Sequence, residues 1–318
     1  MVLQTDSRTA FIHGLRQATA RDDRVVLVCA DSLKVVRGQT FAEAFPERYF
    51  DVGIAEQNAV AVAVGLASSG LVPFAATYAG FLAMRACEQI RTFAAYPGLS
   101  VKLVGANGGA AAGEREGATH QFTEDLGILR GIPHMTVVAP ASAEQVAAAV
   151  KQTAAQEGPA YIRIGSGRDA YEPTVDQEPF ELGKIQVLEE GGSDVLLLGT
   201  GFIHHRLLAA ARWLRSEGVG VTTANVHTLK PMDAVTLQHL LVRTRAVVTV
   251  EDHNVIGGLG SAVAEFAAEN QPVPLVRVGL RERFPESGEP EALLDHLGLA
   301  PEAIADAARR SLALAKEA

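Results

Sequence analysis

The sequence from Arg48 to Gly70 reads Arg-Tyr-Phe-Asp-Val-Gly-Ile-Ala-Glu-Gln-Asn-Ala-Val-Ala-Val-Ala-Val-Gly-Leu-Ala-Ser-Ser-Gly. A short β-type run over 49–54 is interrupted at Gly53 and leads directly into a segment rich in Ala and Val. The small side chains of that segment would let a helix pack closely against a sheet. The stretch therefore predicts a strand followed at once by a helix, as in α/β folds.

Glu56 falls at or near the start of this predicted helix. A carboxylate in a first helical turn offsets the positive end of the helix dipole, and this role alone would explain its presence. The apolar neighbours Ala55, Ala59, Val60 and Val62 instead predict a helix that is buried nearly all round. Because a buried carboxylate is unfavourable unless it is paired or used, we expect Glu56 to belong to a functional site.

Strands alternate with helices on both sides of this unit. We predict strands at 24–30, 49–54, 72–77, 100–104, 135–139, 161–164, 195–201, 219–226 and 246–250. This alternation indicates an α/β protein of two domains, each with a mostly parallel sheet flanked by helices. A polar stretch with Pro173 and Pro179 is typical of a linker. We assign 1–170 to the first domain, 171–185 to the linker and 186–318 to the second domain.

Two further features lie where predicted strands end. Asp31 follows the first strand, and in an open parallel sheet the carboxyl ends of the strands line the ligand crevice. An ordinary turn would explain Asp31 equally well. The loop over 105–121 is rich in Gly and Ala, and a loop of this length inside a compact domain is usually functional or mobile.

Composition excludes several classes of protein. The net charge of −9 argues against a nucleic-acid partner, since phosphate-backbone binding relies on clustered Lys and Arg. The sequence shows no uncharged apolar run of about 18 residues and no secretory signal pattern, so we expect a cytoplasmic protein without membrane contact. Cys29 and Cys87 offer neither a disulfide framework nor metal-binding spacing. Small molecules and other proteins remain as partners.

The run Gly257-Gly258-Leu259-Gly260 before a predicted helix suggests a dinucleotide site. However, the full glycine fingerprint at a first strand–helix turn, with an acidic residue downstream, is missing. We therefore do not favour a dinucleotide cofactor.

Four motifs occur in order along the chain. They are Phe50-Asp-Val-Gly-Ile-Ala-Glu-Gln-Asn58, Met84-Arg-Ala-Cys-Glu-Gln-Ile-Arg91, Gly117-Ala-Thr-His-Gln121, and Glu251-Asp-His253 with Gly257-Gly-Leu-Gly260. Together they resemble the C-terminal half of a transketolase, in the split form in which two polypeptides make up the enzyme. The resemblance covers nearly the whole chain. It implies a pyrimidine-binding (Pyr) domain of thiamine diphosphate enzymes followed by the family's C-terminal domain.

The resemblance gives several residues a role. Glu56 would hydrogen-bond a ring nitrogen of the cofactor's aminopyrimidine and favour its imino form, which a carboxyl group in a dry pocket suits. Tyr78 and Phe81 would pack around the same ring, although plain core packing also explains two aromatic residues. Asp31 would lie near the cofactor. His120 would contact the sugar substrate and exchange protons with its hydroxyl groups, or it is simply a loop residue.

Two arginines are candidates for a substrate phosphate. Arg163 lies in the last predicted strand of the first domain, and Arg168 follows that strand. Arg holds oxyanions through two parallel hydrogen bonds, so either residue would suit a phosphate. Ion pairing at the surface is an equally good explanation for each.

The sequence departs from the family at positions that contact the substrate in other members. Asn107 stands where many members have a histidine that faces the ketose hydroxyls, and this exchange removes a proton carrier while keeping hydrogen bonds. The turn over 114–117 is one residue longer than the usual form. Glu116, or Arg115, replaces the aspartate that reads a substrate hydroxyl. The usual pentose phosphates are therefore uncertain substrates.

The family's signature for the cofactor diphosphate, Gly-Asp-Gly followed by Asn, is absent from the sequence. A diphosphate needs a hard cation such as Mg²⁺ or Ca²⁺ with oxygen ligands. We expect no metal ligands from this chain, and we expect a partner subunit, equivalent to the N-terminal half of a transketolase, to bind the diphosphate. The predicted assembly is an α2β2 heterotetramer with each active site between chains.

The resemblance implies an enzyme subunit that transfers a two-carbon ketol unit from a ketose or ketose phosphate to an acceptor such as an aldose or aldose phosphate. The cofactor would supply the carbanion chemistry, and the protein would supply orientation and proton placement. Three alternatives stay open. They are transfer to a carrier-protein thiol, synthesis of deoxyxylulose phosphate, and a structural subunit without catalysis. The presence of Glu56, Tyr78, Phe81 and His120 argues against the last.

Overall fold

The computed structural model describes residues 6–111 and 116–317 of the chain. These residues form two sheets flanked by helices, so the predicted α/β class and the two mostly parallel sheets are confirmed. The strand β1 (Val25–Cys29) shows why the sheets are parallel: all five of its residues are apolar and buried. Strands buried on both faces read as continuous hydrophobic runs, which is typical of parallel sheets covered by helices.

In its described residues, the first part of the chain contains five more strands of the first sheet and five α-helices. The strands are β2 (Tyr49–Asp51), β3 (Val72–Tyr78), β4 (Lys102–Ala106), β5 (Thr136–Val138) and β6 (Ala160–Arg163). The α-helices are α1 (Ser7–Thr19), α2 (Gln39–Ala44), α3 (Glu56–Ser68), α4 (Asp125–Arg130) and α5 (Ala143–Ala155). After β3 the structure has two π-helical stretches, Phe81–Arg85 and Gln89–Ala95.

The second part of the chain contributes the remaining elements. The strands are β7 (Gln186–Gly191), β8 (Val195–Thr200), β9 (Val221–Asn225), β10 (Thr228–Lys230), β11 (Ala246–Asn254) and β12 (Leu275–Leu280). The helices are α6 (His204–Ser216), α7 (Ala234–Val242), α8 (Leu259–Asn270), α9 (Pro290–His296) and α10 (Pro301–Glu317). Within the described part of the chain, every helix is too short or too polar to cross a membrane.

One strand of the first sheet comes from beyond the predicted domain boundary. The first has the order β10-β5-β6-β4-β3-β1-β2, and the second has the order β12-β11-β8-β9-β7. Strand β10 comes from the second half of the chain but pairs antiparallel with β5, with Thr228 opposite Val138. The backbone amide of Ala139 also donates to the carbonyl of His227 at 2.8 Å. The second half therefore supplies an edge strand to the first sheet, and the domain limits assigned from the sequence stay a prediction.

Helix α3 differs from its predicted environment. The prediction that it is buried nearly all round is wrong, because only Glu56, Ala59, Val60 and Ala63 are buried. Its small apolar residues cover a stripe against the sheet, and the opposite face, with Ala61 and Gly65, is exposed in the single chain. A run of Ala and Val has little amphipathic contrast, so its sequence does not reveal how much of the helix is covered. The burial of Glu56 itself agrees with the prediction.

The Gly257–Gly260 run serves the fold. The carboxylate of Glu251, in the second half of β11, accepts hydrogen bonds from the backbone amides of Leu259 at 2.7 Å and Gly260 at 2.8 Å. A Cβ atom at Gly258 would lie 2.0 Å from a Glu251 oxygen, so only glycine fits there. Amides at a helix start need acceptors, and here Glu251 provides them. Burial raises the pKa of Glu251 to about 7, although the hydrogen bonds from these two backbone amides act to lower it.

Two buried histidines lie near the junction between the sheets. The Nδ1 atom of His204 donates to the carbonyl of Gly201 at 2.8 Å, and the His227 ring lies 4.3 Å from the Phe180 ring. Burial lowers the pKa of each to about 4. An unfolded histidine titrates near pH 6.5. The stability that these two histidines contribute is therefore fully present above pH 6.5. It is lost as the pH falls from 6.5 towards 4, because the unfolded chain then binds protons that the folded chain does not.

We expect the His227→Asn variant to lose part of this acid sensitivity. Between pH 7.5 and pH 5, the free energy of unfolding should fall by about 2 kcal/mol more in the unmodified protein than in the variant, since one pKa unit corresponds to about 1.4 kcal/mol. Urea unfolding of both proteins at both pH values measures this difference. Because the other titrating groups are the same in the two proteins, their effects cancel in the comparison. Equal pH dependence in the two proteins would contradict the expectation.

Candidate active site

The predicted site residues follow strands of the first sheet at one edge. Asp31 lies just after β1, Tyr78 ends β3, Asn107 follows β4, and Arg163 ends β6. Strands β1, β3, β4 and β6 are parallel to one another, so their carboxyl ends meet at the same edge. The register places Tyr78 opposite Ala106, directly beside Asn107. The edge at the carboxyl ends of parallel strands is where ligands bind in open α/β sheets.

Glu56 opens α3 close to this edge and is 5% exposed. One of its carboxylate oxygens accepts a hydrogen bond from the guanidinium of Arg85 at 2.9 Å. The Arg85 guanidinium carbon also lies 3.8 Å from the centre of the Phe81 ring. Arg85 is half exposed, so the pair forms the boundary between the buried carboxylate and solvent. The charge of Glu56 is thus paired, as burial requires.

Three rings form a compact group next to this ion pair. The Tyr78 and Phe81 rings are 5.4 Å apart, and the His120 ring lies 4.9 Å from Tyr78 and 5.0 Å from Phe81. The His120 contacts are edge-to-face, a favourable geometry for aromatic pairs. Burial raises the pKa of Tyr78, and the nearby carboxylate of Glu116 adds to the rise. The structure therefore brings together Tyr78, Phe81 and His120, although His120 lies far from the other two in the sequence.

Phe122 packs against this aromatic group. Its ring lies 5.4 Å from the Phe81 ring. It also occupies the space beside Gly80, where a Cβ atom would be 1.5 Å from the Phe122 ring. Glycine at position 80 is therefore required for the ring to lie where it does. Sequence analysis did not identify Phe122, because its role depends on contacts with a distant helical turn.

Asn107 lies beside the aromatic group and contacts a half-buried arginine. It has a positive φ of 58° and is 1% exposed, and its Oδ1 atom accepts a hydrogen bond from the guanidinium of Arg8. Its Nδ2 atom donates to a carboxylate oxygen of Glu116 at 3.4 Å. Burial lowers the pKa of Arg8, against the effect of the nearby Asp169. Arg115, the other candidate in this turn, lies outside the described residues.

The other sequence candidates lie around the margin of the site. Asp31 is exposed with a positive φ of 54°, and its backbone amide donates to the carboxylate of Asp51 at 3.0 Å. Arg163 is buried and makes an ion pair with Asp125 at 3.2 Å. Arg168 is about half exposed, and its guanidinium lies 4.0 Å from the carboxylate of Glu289. Among residues 6–111 and 116–317, no three His, Cys, Asp or Glu side chains converge as metal ligands.

Comparison with known families accounts for this arrangement. The model of the transketolase pyrimidine-binding domain matches residues 4–168, and the model of the transketolase C-terminal domain matches residues 183–304. The chain belongs to the transketolase family. The resemblance stated from the four sequence motifs is confirmed, and transketolase architecture extends through both sheets.

Individual transketolase relatives match over most of their length. The chain is 42% identical over 301 residues to a 6-deoxy-6-sulfo-D-fructose transketolase subunit of Clostridium sp. (strain MSTE9), covering 95% of this chain and 92% of the relative. It is 35% identical over 286 residues to an apulose-4-phosphate transketolase subunit of Actinobacillus succinogenes, covering 89% and 91%. A solved structure of a split gene transketolase, described as an inactive beta4 tetramer, matches with a TM-score of 0.89 and 41% identity, covering 98% and 99%.

Arg85 and Arg8 join Phe122 as site residues that sequence analysis missed. Arg85 lies inside one of the four motifs, and its place in the transketolase pattern was the available signal. Its pairing with Glu56, 29 positions away, is not visible from spacing. Arg8 contacts Asn107 across 99 positions of sequence, and its helix reads as an ordinary amphipathic one.

We expect Gly80→Ala to disturb the aromatic group. A methyl group at this position overlaps the Phe122 ring, and overpacking of this kind typically costs about 1–3 kcal/mol. Urea unfolding would measure the loss, and near-ultraviolet circular dichroism would report the displaced rings. Gly65→Ala in α3 is the matched control, because a Cβ atom there meets nothing within 4 Å. If both variants have the same stability and the same aromatic spectrum, the packing argument is wrong.

Proposed function

We propose that this chain is the subunit of a two-component transketolase that transfers a two-carbon ketol unit from a ketose to an acceptor such as an aldose. One observation carries the proposal: the buried carboxylate of Glu56 is joined through Arg85 to the Phe81 ring, which packs against Tyr78 and His120 at the ligand edge of the sheet. The names of the relatives support the reaction class, since two of them are transketolase subunits.

The arrangement fits the aminopyrimidine of thiamine diphosphate. A flat polar ring needs aromatic faces and a buried acceptor or donor at one edge, and Tyr78, Phe81 and Glu56 offer these. When bound, thiamine diphosphate supplies the carbanion chemistry that cleaves a ketose beside its carbonyl. Glu56 would hold a ring nitrogen of the cofactor, and the surrounding rings would keep water away from that contact. Asp31 is the more distant cofactor residue of this proposal.

Residues on the other side of the aromatic group would bind the sugar. His120 can give or take a proton at a hydroxyl group, and Asn107 and Glu116 offer hydrogen bonds without a second imidazole. Arg8 reaches the same place through Asn107 and adds positive charge. Arg168 lies at the exposed end and would meet an anionic group on the far end of the sugar. The proposed donor is therefore a ketose with a phosphate or another anionic group.

The second polypeptide of the proposal supplies the diphosphate site. The described residues bring no metal-binding cluster to the edge where Glu56 lies, and a diphosphate requires a cation such as Mg²⁺ or Ca²⁺. We therefore assign the diphosphate and its metal to an N-terminal transketolase subunit, in an α2β2 heterotetramer. The relatives named as subunits support an enzyme divided between polypeptides.

Glu56→Gln tests the central assignment. The amide keeps the shape of the side chain but cannot exchange a proton with the cofactor ring, so turnover by the reconstituted enzyme should fall by a factor of about 100 or more. Circular dichroism and urea unfolding should show a folded protein. Glu88→Gln, an exposed carboxylate that accepts a hydrogen bond from Thr92 at 2.8 Å, is the matched control and should keep full turnover. Full turnover of the Glu56 variant would refute the assignment.

Cofactor titration tests the division of the site. Calorimetry with thiamine diphosphate and Mg²⁺ should give no tight binding to this chain alone and tight, metal-dependent binding after the partner subunit is added. The physical reason is that the diphosphate charge is compensated only when the metal ligands are present. Tight binding by this chain without a partner would show that the proposed division is wrong.

A further inference from the structure

Arg163 lies at the end of β6 and is 5% exposed. Its guanidinium faces two groups of the segment before and within α4. The Nε atom lies 3.2 Å from a carboxylate oxygen of Asp125, and one terminal nitrogen donates to the backbone carbonyl of Phe122 at 2.9 Å. The contact with Asp125 is an ion pair without a hydrogen bond from Nε, and the directional contact of the planar guanidinium is the hydrogen bond to Phe122.

The surroundings leave this arginine little freedom. The Tyr161 hydroxyl donates to the same Asp125 oxygen at 2.5 Å. A Cβ atom at Gly108 would lie 2.4 Å from the Arg163 side chain, and one at Gly105 would lie 2.3 Å from the Tyr161 hydroxyl. Both glycines therefore allow the two long side chains to cross β4 and the loop that follows it. Asp125, Tyr161 and Arg163 therefore form a fixed polar group that adjoins the site at Phe122.

The segment Gly117–Thr123, which carries His120, is held from both halves of the chain. The carbonyl of Phe122 accepts a second hydrogen bond from the backbone amide of Gly109 at 2.7 Å. From the second half, the amide of Asn254 donates to the carbonyl of Thr123 at 2.7 Å. The side chain of Gln121 donates to the carbonyl of Glu286 at 2.9 Å. Arg163 is the charged member of this set of contacts.

A continuous line of contacts leads from Arg163 to the aromatic group. Arg163 donates to the backbone carbonyl of Phe122, and the Phe122 ring packs against Gly80 and the Phe81 ring. His120, which precedes Phe122 by two residues, also packs against Phe81. A shift of the Phe122 carbonyl would therefore move the His120 ring. Displacements of about 1 Å at a catalytic group can lower rates by a factor of about 100.

We propose that Arg163 is a positioning residue that fixes His120 over Tyr78 and Phe81 by holding the carbonyl of Phe122 and the carboxylate of Asp125. This inference rests on the proposed function, in which His120 contacts the substrate. It gives Arg163 a role distinct from that of a phosphate ligand, since the guanidinium is buried and two of its nitrogens face protein oxygens. Arg168, at the exposed end, keeps the role of the anion ligand.

Two variants remove the positioning contacts in different ways. Arg163→Lys keeps the charge but loses the planar guanidinium that donates to the Phe122 carbonyl. The double variant Arg163→Met with Asp125→Asn removes both charges, so that no unpaired carboxylate stays buried if the single variant folds poorly. Arg130→Lys is the matched control, because Arg130 also joins the two halves of the chain, through the Gly257 carbonyl at 2.9 Å and an ion pair with Glu265.

Hydrogen–deuterium exchange of the isolated full chain tests positioning without any activity. In either Arg163 variant, peptides covering 116–124 should exchange about tenfold faster, since local opening governs amide exchange and the segment has lost its buried anchor. The Arg130→Lys protein should exchange in this segment like the unmodified chain. Unchanged exchange of 116–124 in both Arg163 variants would overturn the proposal.

Kinetics of the reconstituted enzyme distinguish positioning from phosphate binding. With a phosphorylated and an unphosphorylated ketose donor, the Arg163 variants should lose the same factor in kcat/KM, about 10–100-fold and mainly in kcat, with cofactor affinity within about twofold. A rise in KM confined to the phosphorylated donor would overturn the proposal. If the unmodified reconstituted enzyme has no ketol-transfer activity at all, the proposed function fails, and the exchange experiment still decides whether Arg163 holds the segment.

Discussion

The parallel pairing of β3 with β4 is the constraint on which the site depends. Its register sets Tyr78, the last residue of β3, opposite Ala106, so that Asn107 and the long loop begin beside the aromatic group. Because the side chains of a strand alternate between faces, a slip of one residue would turn Tyr78 to the other side of the sheet. Glu56 reaches the same edge because α3 begins shortly after the carboxyl end of β2. The site is thus a consequence of strand register, to which loops add His120 and Asn107.

Three buried carboxylates each have polar partners. Glu56 is paired with Arg85, Asp125 with Arg163 and Tyr161, and Glu251 accepts the first amides of α8. Removing one partner from a buried pair leaves an uncompensated charge, which is strongly destabilising. Two of these pairs also adjoin the aromatic group, so the same contacts that make burial tolerable also fix the geometry of the site. Stability and positioning therefore have a common physical origin in this transketolase-family chain.

The second half of the chain takes part in the site without lying at its centre. It adds β10 to the first sheet, and it holds the His120 segment through Asn254 and Glu286. These contacts act through backbone groups, so they depend on the path of the chain more than on particular side chains. The role of this half in the architecture is therefore to complete one sheet edge and to clamp one loop.

The sequence by itself determined the α/β class, the central strands, the family and the burial of Glu56. Strands such as β1 and β8 are continuous apolar runs, and such patterns are local and need no knowledge of neighbours. The sequence did not reveal β7, β10 and β12, which lie at sheet edges and contain mixed or short patterns. Only the tertiary structure decided that α3 is covered on one side, that Arg85 and Arg8 reach Glu56 and Asn107, and that Arg163 holds Phe122. These contacts join residues 29, 99 and 41 positions apart, and side-chain direction across such separations is set by packing, which no local pattern encodes.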